Sequence, residues 1–150
     1  MLYRLVENTQ LTKTVWRMKL AGDTSAIKAP GQFVQLTVPG FYLRRPISIC
    51  DWDEETITLV YKVVGQGTEA MSVMKTGMEL DVLNGLGNGF DTSRCGDKPL
   101  LIGGGVGLPP MIGLCRQLLA EGKHPTVLAG FNTADEVILR DAVDDHGRAL

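Results

Sequence analysis

Apolar residues follow two rhythms along this chain, and the change falls near residue 96. Before it, short segments alternate apolar and polar positions or are rich in β-branched residues: LYRLVENTQ (2–10), KTVWRMKLAG (13–22), GQFVQLTVPG (31–40), TITLVYKVVG (56–65) and the short MELDVLNG (78–85). In 31–40 the alternation is carried by Phe33, Leu36 and Val38, with Val34 between them. Glycine, proline and aspartate punctuate these runs, which predicts several short strands in a small antiparallel barrel or sandwich. One helix interrupts them, expected over Thr68–Thr76 of GTEAMSVMKTG and closed by Gly77.

After residue 96 the pattern becomes β-α-β-α. PLLIGGG (99–105) is a continuous apolar run ending in glycines, as in a parallel strand buried on both faces. Leu108, Met111, Ile112, Cys115, Leu118 and Leu119 recur at helical spacing, and Gly122 ends that helix. PTVLAGF (125–131) reads as a second buried strand. TADEVILRDAVDDHG (133–147) reads as a second helix, with Thr133 as N-cap and Glu136 at the capping-box position. The fold class expected is therefore β plus α/β: an antiparallel β-barrel over residues 1–96, then a partial parallel α/β domain over 97–150. Two parallel strands leave a sheet edge unpaired and apolar faces uncovered, so a further segment or a second copy of the chain is expected to complete the sheet.

Composition narrows the function classes. A net charge of −2 gives no general attraction to nucleic acid or anionic membrane. No apolar run approaches transmembrane length and the first residues lack a signal-peptide core, so a cytoplasmic location is expected. Cys50, Cys95 and Cys115 are widely spaced and form no C-x-x-C pair, which argues against a disulfide framework or a zinc site.

Three segments carry candidate chemistry. GGGVGLPP (103–110) lies between a strand and a helix, where Gly105-Val106-Gly107 lets backbone approach a pyrophosphate. Pro110 stands where the third glycine of G-x-G-x-x-G would be, so a tight turn without a ligand remains an equal alternative. GQGTEAM (65–71) places Gly65, Gly67 and Thr68 before a helix, either an anion site or an ordinary cap. YLRRPISICDWD (42–53) joins two arginines, a proline and a hydroxyl at a strand start, where a guanidinium could hold a phosphate or merely stay solvated.

The order R-P-I-S, then G-x-G-T, then G-V-G-L-P-P resembles the ferredoxin–NADP reductase superfamily. Ile47 replaces the tyrosine of that family's R-x-Y-S. LRRPISI, GQGTEAMS, LDVLNGLGNGF, LIGGGVGLPPM and AGFNTADEV together resemble the electron-transfer subunit of the NAD-using class of dihydroorotate dehydrogenase, an enzyme of pyrimidine biosynthesis; RDAVDDHGRAL matches less well. The resemblance implies that Arg45 pairs with the FAD pyrophosphate and Ser48 hydrogen-bonds near flavin N5. Pro46 and Ile47 would line the isoalloxazine, and Val60, Tyr61 and Lys62 would lie along the flavin and its ribityl chain. Gly67 and Thr68 would cap the pyrophosphate with backbone and hydroxyl donors, and Arg44 would be a solvated neighbour or secondary phosphate contact. Gly104, Gly105, Val106, Gly107 and Pro110 would face NAD.

Members of the resembling family extend well past this length and end in a cysteine cluster holding a [2Fe–2S] centre, whose ligands are absent here. NAD binding is accordingly expected to be weak or lost, and the chain alone to have little activity. Electrons in the full-length family would pass from NADH through FAD and the iron–sulfur centre to an FMN-containing catalytic subunit. Two rivals stay open: a subunit of another ferredoxin reductase-like flavin oxidoreductase, or a non-catalytic remnant of the fold acting as an interaction domain. No arginine closely follows Phe131-Asn132, which favours NAD over NADP.

Overall fold

The computed structural model describes residues 1–146 and 148–149, with side chains described to residue 143. Six strands close into an antiparallel barrel: β1 (Leu2–Gln10), β2 (Val15–Ala21), β3 (Phe33–Leu36), β4 (Arg45–Trp52), β5 (Thr56–Lys62) and β6 (Glu79–Leu86), in the order β1-β2-β5-β4-β3-β6. Closure removes free sheet edges, and the inward alternate positions fill the interior with Leu5, Met18, Leu20, Leu36, Ile57 and Leu59. In β3 the inward residues are Val34 and Leu36; Phe33 is only half-buried and leans toward the Gly87 turn.

The helix between β5 and β6, α1 (Gln66–Ser72), begins and ends earlier than the expected Thr68–Thr76. Thr68 is not its first residue, because its hydroxyl accepts the backbone N–H of Val64 (2.9 Å) and of Gly65 (3.2 Å), making Gly65 the cap. The far end is set from outside the helix. Asn8 of β1 donates its side-chain amide to the carbonyls of Met71 (2.9 Å) and Met74 (3.3 Å), satisfying terminal acceptors that would otherwise invite another turn.

The second part runs β7 (Leu100–Gly104), α2 (Pro109–Ala120), β8 (Thr126–Gly130), α3 (Arg140–His146) and β9 (Arg148–Ala149), with parallel strands in the order β7-β8-β9. Burial on both faces is not found. Leu101 and Val127 are buried, whereas Leu100, Ile102 and Leu128 are exposed. The helix α2 packs on one face of this sheet, and successive residues of a strand point to opposite faces. The edge at PTVLAGF is also less open than expected, since β9 pairs with Thr126 and Val127.

The expected helix from Thr133 is replaced by a short 3₁₀ turn, Ala134–Glu136, followed by extended Val137; Leu139 has φ 56° and α3 starts at Arg140. The Thr133 hydroxyl is engaged with the Asp135 carboxylate and makes no cap hydrogen bond. Ile138 then turns inward beside Val143. Gly147, at the end of that segment, lies outside the described residues.

The two parts share a core. Val15, Cys50 and Val60 of the barrel pack with Leu101, Leu108 and Ile112. α2 crosses β4 so closely that a Cβ on Gly113 would lie 3.0 Å from the Cys50 carbonyl oxygen. Arg116 pairs with Asp51 (2.6 Å), donates to the Trp52 carbonyl (3.1 Å) and lies 5.3 Å from the Trp52 ring centre. At the expected boundary, Lys123 donates to the Thr92 carbonyl (2.6 Å), tying the 92–95 turn to the end of α2.

Candidate functional site

The barrel wall splits at one place. β4 pairs with β3 from Arg45 to Ser48, but with β5 only from Ile49 onward, with a register irregularity between Ile49 and Asp51. β5 meanwhile continues through Val60, Tyr61 and Lys62 in register with Arg17, Trp16 and Val15 of β2. The first half of β4 and the last half of β5 therefore diverge. Between them lies a cavity of about 390 Å³ bounded by Arg45, Pro46, Ile47, Ser48, Val60, Tyr61 and Lys62, with Val64, Thr68 and Val106.

Proline suits this open side. The Ile49 N–H donates to the Gln32 carbonyl (3.0 Å) on the β3 side, so by strand alternation the N positions of Pro46 and Ser48 face the gap. Proline leaves no unpaired donor there, and the Ser48 N–H points toward the cavity. The Ser48 side chain is exposed and makes no hydrogen bond among the described residues.

The two arginines have different surroundings. Arg44 is ion-paired with Asp81 and donates to the carbonyls of Asp81 (3.0 Å) and Gln35 (3.4 Å). Asp81 also receives the N-terminal ammonium at 2.7 Å. Its carboxyl is held below the usual range by the hydrogen bond from the N-terminus and then by Arg44. Arg44 thus fastens the start of β4 to β3 and β6 through Gln35 and Asp81. Arg45 has no carboxylate partner among the described residues. Its guanidinium donates to the Leu43 carbonyl (2.6 Å) and lies 5.1 Å from the Phe41 ring centre. It also lies directly against Gly67, where a Cβ would overlap it.

Thr68 borders the cavity, and in the ligand-free chain its Oγ1 accepts from Val64 and Gly65 and donates to the Gly65 carbonyl (3.0 Å). It shapes the turn that places Gly67 under Arg45. Tyr61 is likewise committed: its hydroxyl donates to Asn8 Oδ1 (3.1 Å), and burial pushes it up to about 12. The ring is buried in the barrel core, and the hydroxyl ties β5, through Asn8, to α1.

A second cleft, about 580 Å³, lies at the carboxyl ends of β7 and β8, where open parallel sheets bind ligands. Gly104, Gly105 and Val106 form one side and Gly130, Phe131, Asn132, Glu136 and Ile138 another; Thr14, Val15 and Lys62 close it from the barrel. Gly107 and Pro110 line neither cavity. The glycine with a steric requirement is Gly103, where a Cβ would lie 2.7 Å from Leu108 Cα and push α2 off the strand.

Sequence reasoning missed Asn8, Val64 and, in the second cleft, Thr14, Val15, Gly130, Glu136 and Ile138. An asparagine inside a β-rich run was a usable signal for Asn8, since strands disfavour it. Phe131, Asn132 and Glu136 follow from the strand-end rule. Nothing local to Thr14 and Val15 marks them, because they reach the cleft only through barrel closure.

Cys50 and Cys115 are buried and Cys95 half-buried, none of them in a disulfide; burial, with the Asp51 charge, pushes Cys50 up to about 12. Among the described residues no group of three or more His, Cys, Asp or Glu could hold a metal ion, and no helix is long and apolar enough to cross a membrane.

No protein-family model matches the chain. The dihydroorotate dehydrogenase B (NAD(+)) electron transfer subunit of Fusobacterium nucleatum is 38% identical over 149 residues, covering 94% of this chain and 58% of that protein. Subunits of the same name from other bacteria match at similar identity. The chain thus spans less than two thirds of the relatives' length. Among solved structures, an NADH-dependent reduced ferredoxin-NADP oxidoreductase, described in connection with flavin-based electron bifurcation, superposes with TM-score 0.91 at 27% identity, over 100% of this chain and 56% of that one. Phthalate dioxygenase reductase, described as transferring electrons from pyridine nucleotides to [2Fe-2S], has the same fold at TM-score 0.78 and 19% identity, over 100% of this chain and 51% of that one. Over nearly its whole length the chain is similar in sequence to the electron-transfer subunits of dihydroorotate dehydrogenase B, and its barrel joined to a parallel α/β unit has the ferredoxin–NADP reductase-like fold.

Proposed function

We propose that this chain is the FAD-bearing portion of a dihydroorotate dehydrogenase electron-transfer subunit, passing electrons between a nicotinamide dinucleotide and an FMN-containing catalytic subunit. The observation that carries this reading is Arg45. Among the described residues it is a guanidinium without a carboxylate partner, seated on a glycine and at the end of a cavity lined by R-P-I-S and V-Y-K. A cation left unpaired beside a cavity suits an anionic ligand, and a planar guanidinium suits phosphate.

The residues fit FAD. Gly67 keeps backbone free of side chain where a pyrophosphate would meet Arg45. Pro46 and Ile47 offer apolar surface to a planar ring system, and β5 from Val60 to Lys62 forms the facing wall. The Ser48 hydroxyl and N–H offer polar contacts at its edge. When bound, FAD supplies acceptance of a hydride and release of electrons one at a time. Asn8 and Tyr61 hold the cavity's shape by fixing β1, β5 and α1.

The neighbouring cleft fits a nicotinamide dinucleotide by position, at strand ends and against the flavin cavity. Glu136 and Asn132 in its wall, with Arg140 beyond it on α3, favour NAD over a 2′-phosphorylated form. The three cysteines, two of them buried in β4 and α2, do not fit an iron–sulfur centre, so no electron step is assigned to one here. The proposal is tested by fluorescence titration of the apo chain with FAD. Saturable binding that Arg45→Ala weakens by about tenfold or more supports it. Binding absent in the wild-type chain contradicts it and favours a non-catalytic interaction domain.

A further inference from the structure

β4 carries one residue more than its partner where it meets β5. Ile49 lies opposite Leu59 and Asp51 opposite Thr58, so Cys50 is the extra residue of a β-bulge. Just before the bulge the pairing of β4 with β5 stops, and the flavin cavity lies in the gap that follows. Successive residues of a regular strand face opposite ways. Here the neighbours Cys50 and Asp51 both meet the second part: Cys50 packs in the core shared with Leu108 and Ile112, and Asp51 pairs with Arg116 of α2 (2.6 Å).

The bulge is thus held from outside the barrel. Asp51 Oδ1 accepts the Trp52 N–H (2.9 Å), and Arg116 donates to the Trp52 carbonyl (3.1 Å). One carboxylate and one guanidinium therefore bind both main-chain polar groups of Trp52, and the guanidinium lies 5.3 Å from the Trp52 ring centre. Gly113, about one turn earlier on α2, gives the close approach, since a Cβ there would lie 3.0 Å from the Cys50 carbonyl oxygen. Arg116, Asp51 and Trp52 line neither cavity.

Resting on the flavin reading above, we propose that Arg116 is a positioning residue for the flavin cavity: through Asp51 and Trp52 it holds the β4 bulge that keeps the first half of β4 apart from β5. Released from α2, β4 is free to shift toward β5 and narrow the gap. FAD then binds only the fraction of chains in which the gap is open, and its apparent affinity falls by that fraction. Lys123 offers the contrast. It also ties α2 to the boundary between the two parts, by donating to the Thr92 carbonyl (2.6 Å), but its partners Thr92, Cys95 and Glu121 all lie outside β4.

The test compares the wild-type chain with Arg116→Met, Asp51→Asn, the double variant and Lys123→Met. Circular dichroism checks the fold, and FAD is titrated by flavin fluorescence below every melting midpoint. Arg116→Met removes the guanidinium; Asp51→Asn keeps an oxygen for the Trp52 N–H and removes the charge. Each is expected to weaken FAD about three- to tenfold, and the double variant no more than the stronger single one, because the two residues act as a unit. Lys123→Met is expected to lower the melting temperature and leave FAD affinity within about twofold. Unchanged affinity in folded Arg116→Met, additive losses in the double variant, or an equal loss in Lys123→Met overturns the positioning role. If Arg116→Met does not fold, Asp51→Asn set against Lys123→Met decides by the same criterion. A wild-type chain that binds no FAD overturns the flavin reading, and this inference with it; wild-type binding with unchanged variants overturns this inference alone.

Discussion

Gly67→Ala is the sharpest perturbation of the proposed site, because stability and binding should move in opposite directions. Gly67 is the second residue of α1 and lacks a positive φ, so alanine is compatible with the backbone. A glycine replaced by alanine within a helix gains up to about 1 kcal/mol through lower unfolded-state entropy. The three atoms nearest the added Cβ all belong to the Arg45 guanidinium, the far end of a flexible side chain, which can swing aside. The apo fold is therefore preserved, with Tm unchanged or raised by up to about 4 °C. The displaced Arg45, however, loses its seat beside the pyrophosphate. A charge-assisted contact of about 1.5–3 kcal/mol corresponds to roughly ten- to a hundredfold weaker FAD binding. Circular-dichroism melting of the apo protein gives the first quantity and FAD fluorescence the second. A folded Gly67→Ala variant that binds FAD as wild type does would refute the role given to Arg45 and Gly67. A sharply destabilised one would refute the steric argument.

Arg45→Ala should weaken FAD binding with little change in apo stability, whereas Arg44→Ala should lower the melting temperature while leaving FAD affinity within about threefold; equal binding losses in the two variants would contradict the assignment. Asp81, whose carboxyl is lowered by the N-terminus and Arg44, stabilises the fold above its unfolded-state value and loses that contribution as pH falls through the lowered one. Acid titration of stability should accordingly be flatter in Asp81→Asn. Tyr61 is raised from 10.0 to about 12, so its contribution is complete below pH 10 and is lost as pH climbs toward 12; Tyr61→Phe should reduce the alkaline loss in denaturant melts. Thiol labelling of the native chain should reach Cys95 first, and Cys50 only on unfolding, as mass spectrometry after timed alkylation would show.

Much of the barrel was legible because its strands alternate between water and core. TITLVYK and VWRMKLA each carry the two-residue period along the whole element. That the segments from Arg45 to Thr68 line one cavity was legible through the ordered motifs, whose polar members are hard to explain as core. What the sequence hid was non-local. Thr68 looks like the start of a helix, yet it lies inside α1 with its hydroxyl bonded to the turn at Val64 and Gly65. Arg44 and Arg45 are adjacent and chemically identical, and only the arrival of Asp81 from β6 separates their roles. The segment from Thr133 has a capping-box spacing, but Asp135 takes the threonine hydroxyl and Ile138 is drawn into the core, so a 3₁₀ turn wins over a helix. Continuous apolar character in LLIGG indicated burial on both faces, whereas Leu100 and Ile102 are exposed in this chain.

The claim that the split between β4 and β5 is a flavin site rests most directly on one measurement: the stoichiometry and affinity of FAD on the apo chain, with Arg45→Ala alongside. The account predicts saturation at a single FAD per chain, with quenched or shifted flavin fluorescence and affinity reduced about ten- to a hundredfold in the variant. No saturable binding, or binding indifferent to Arg45, would contradict it.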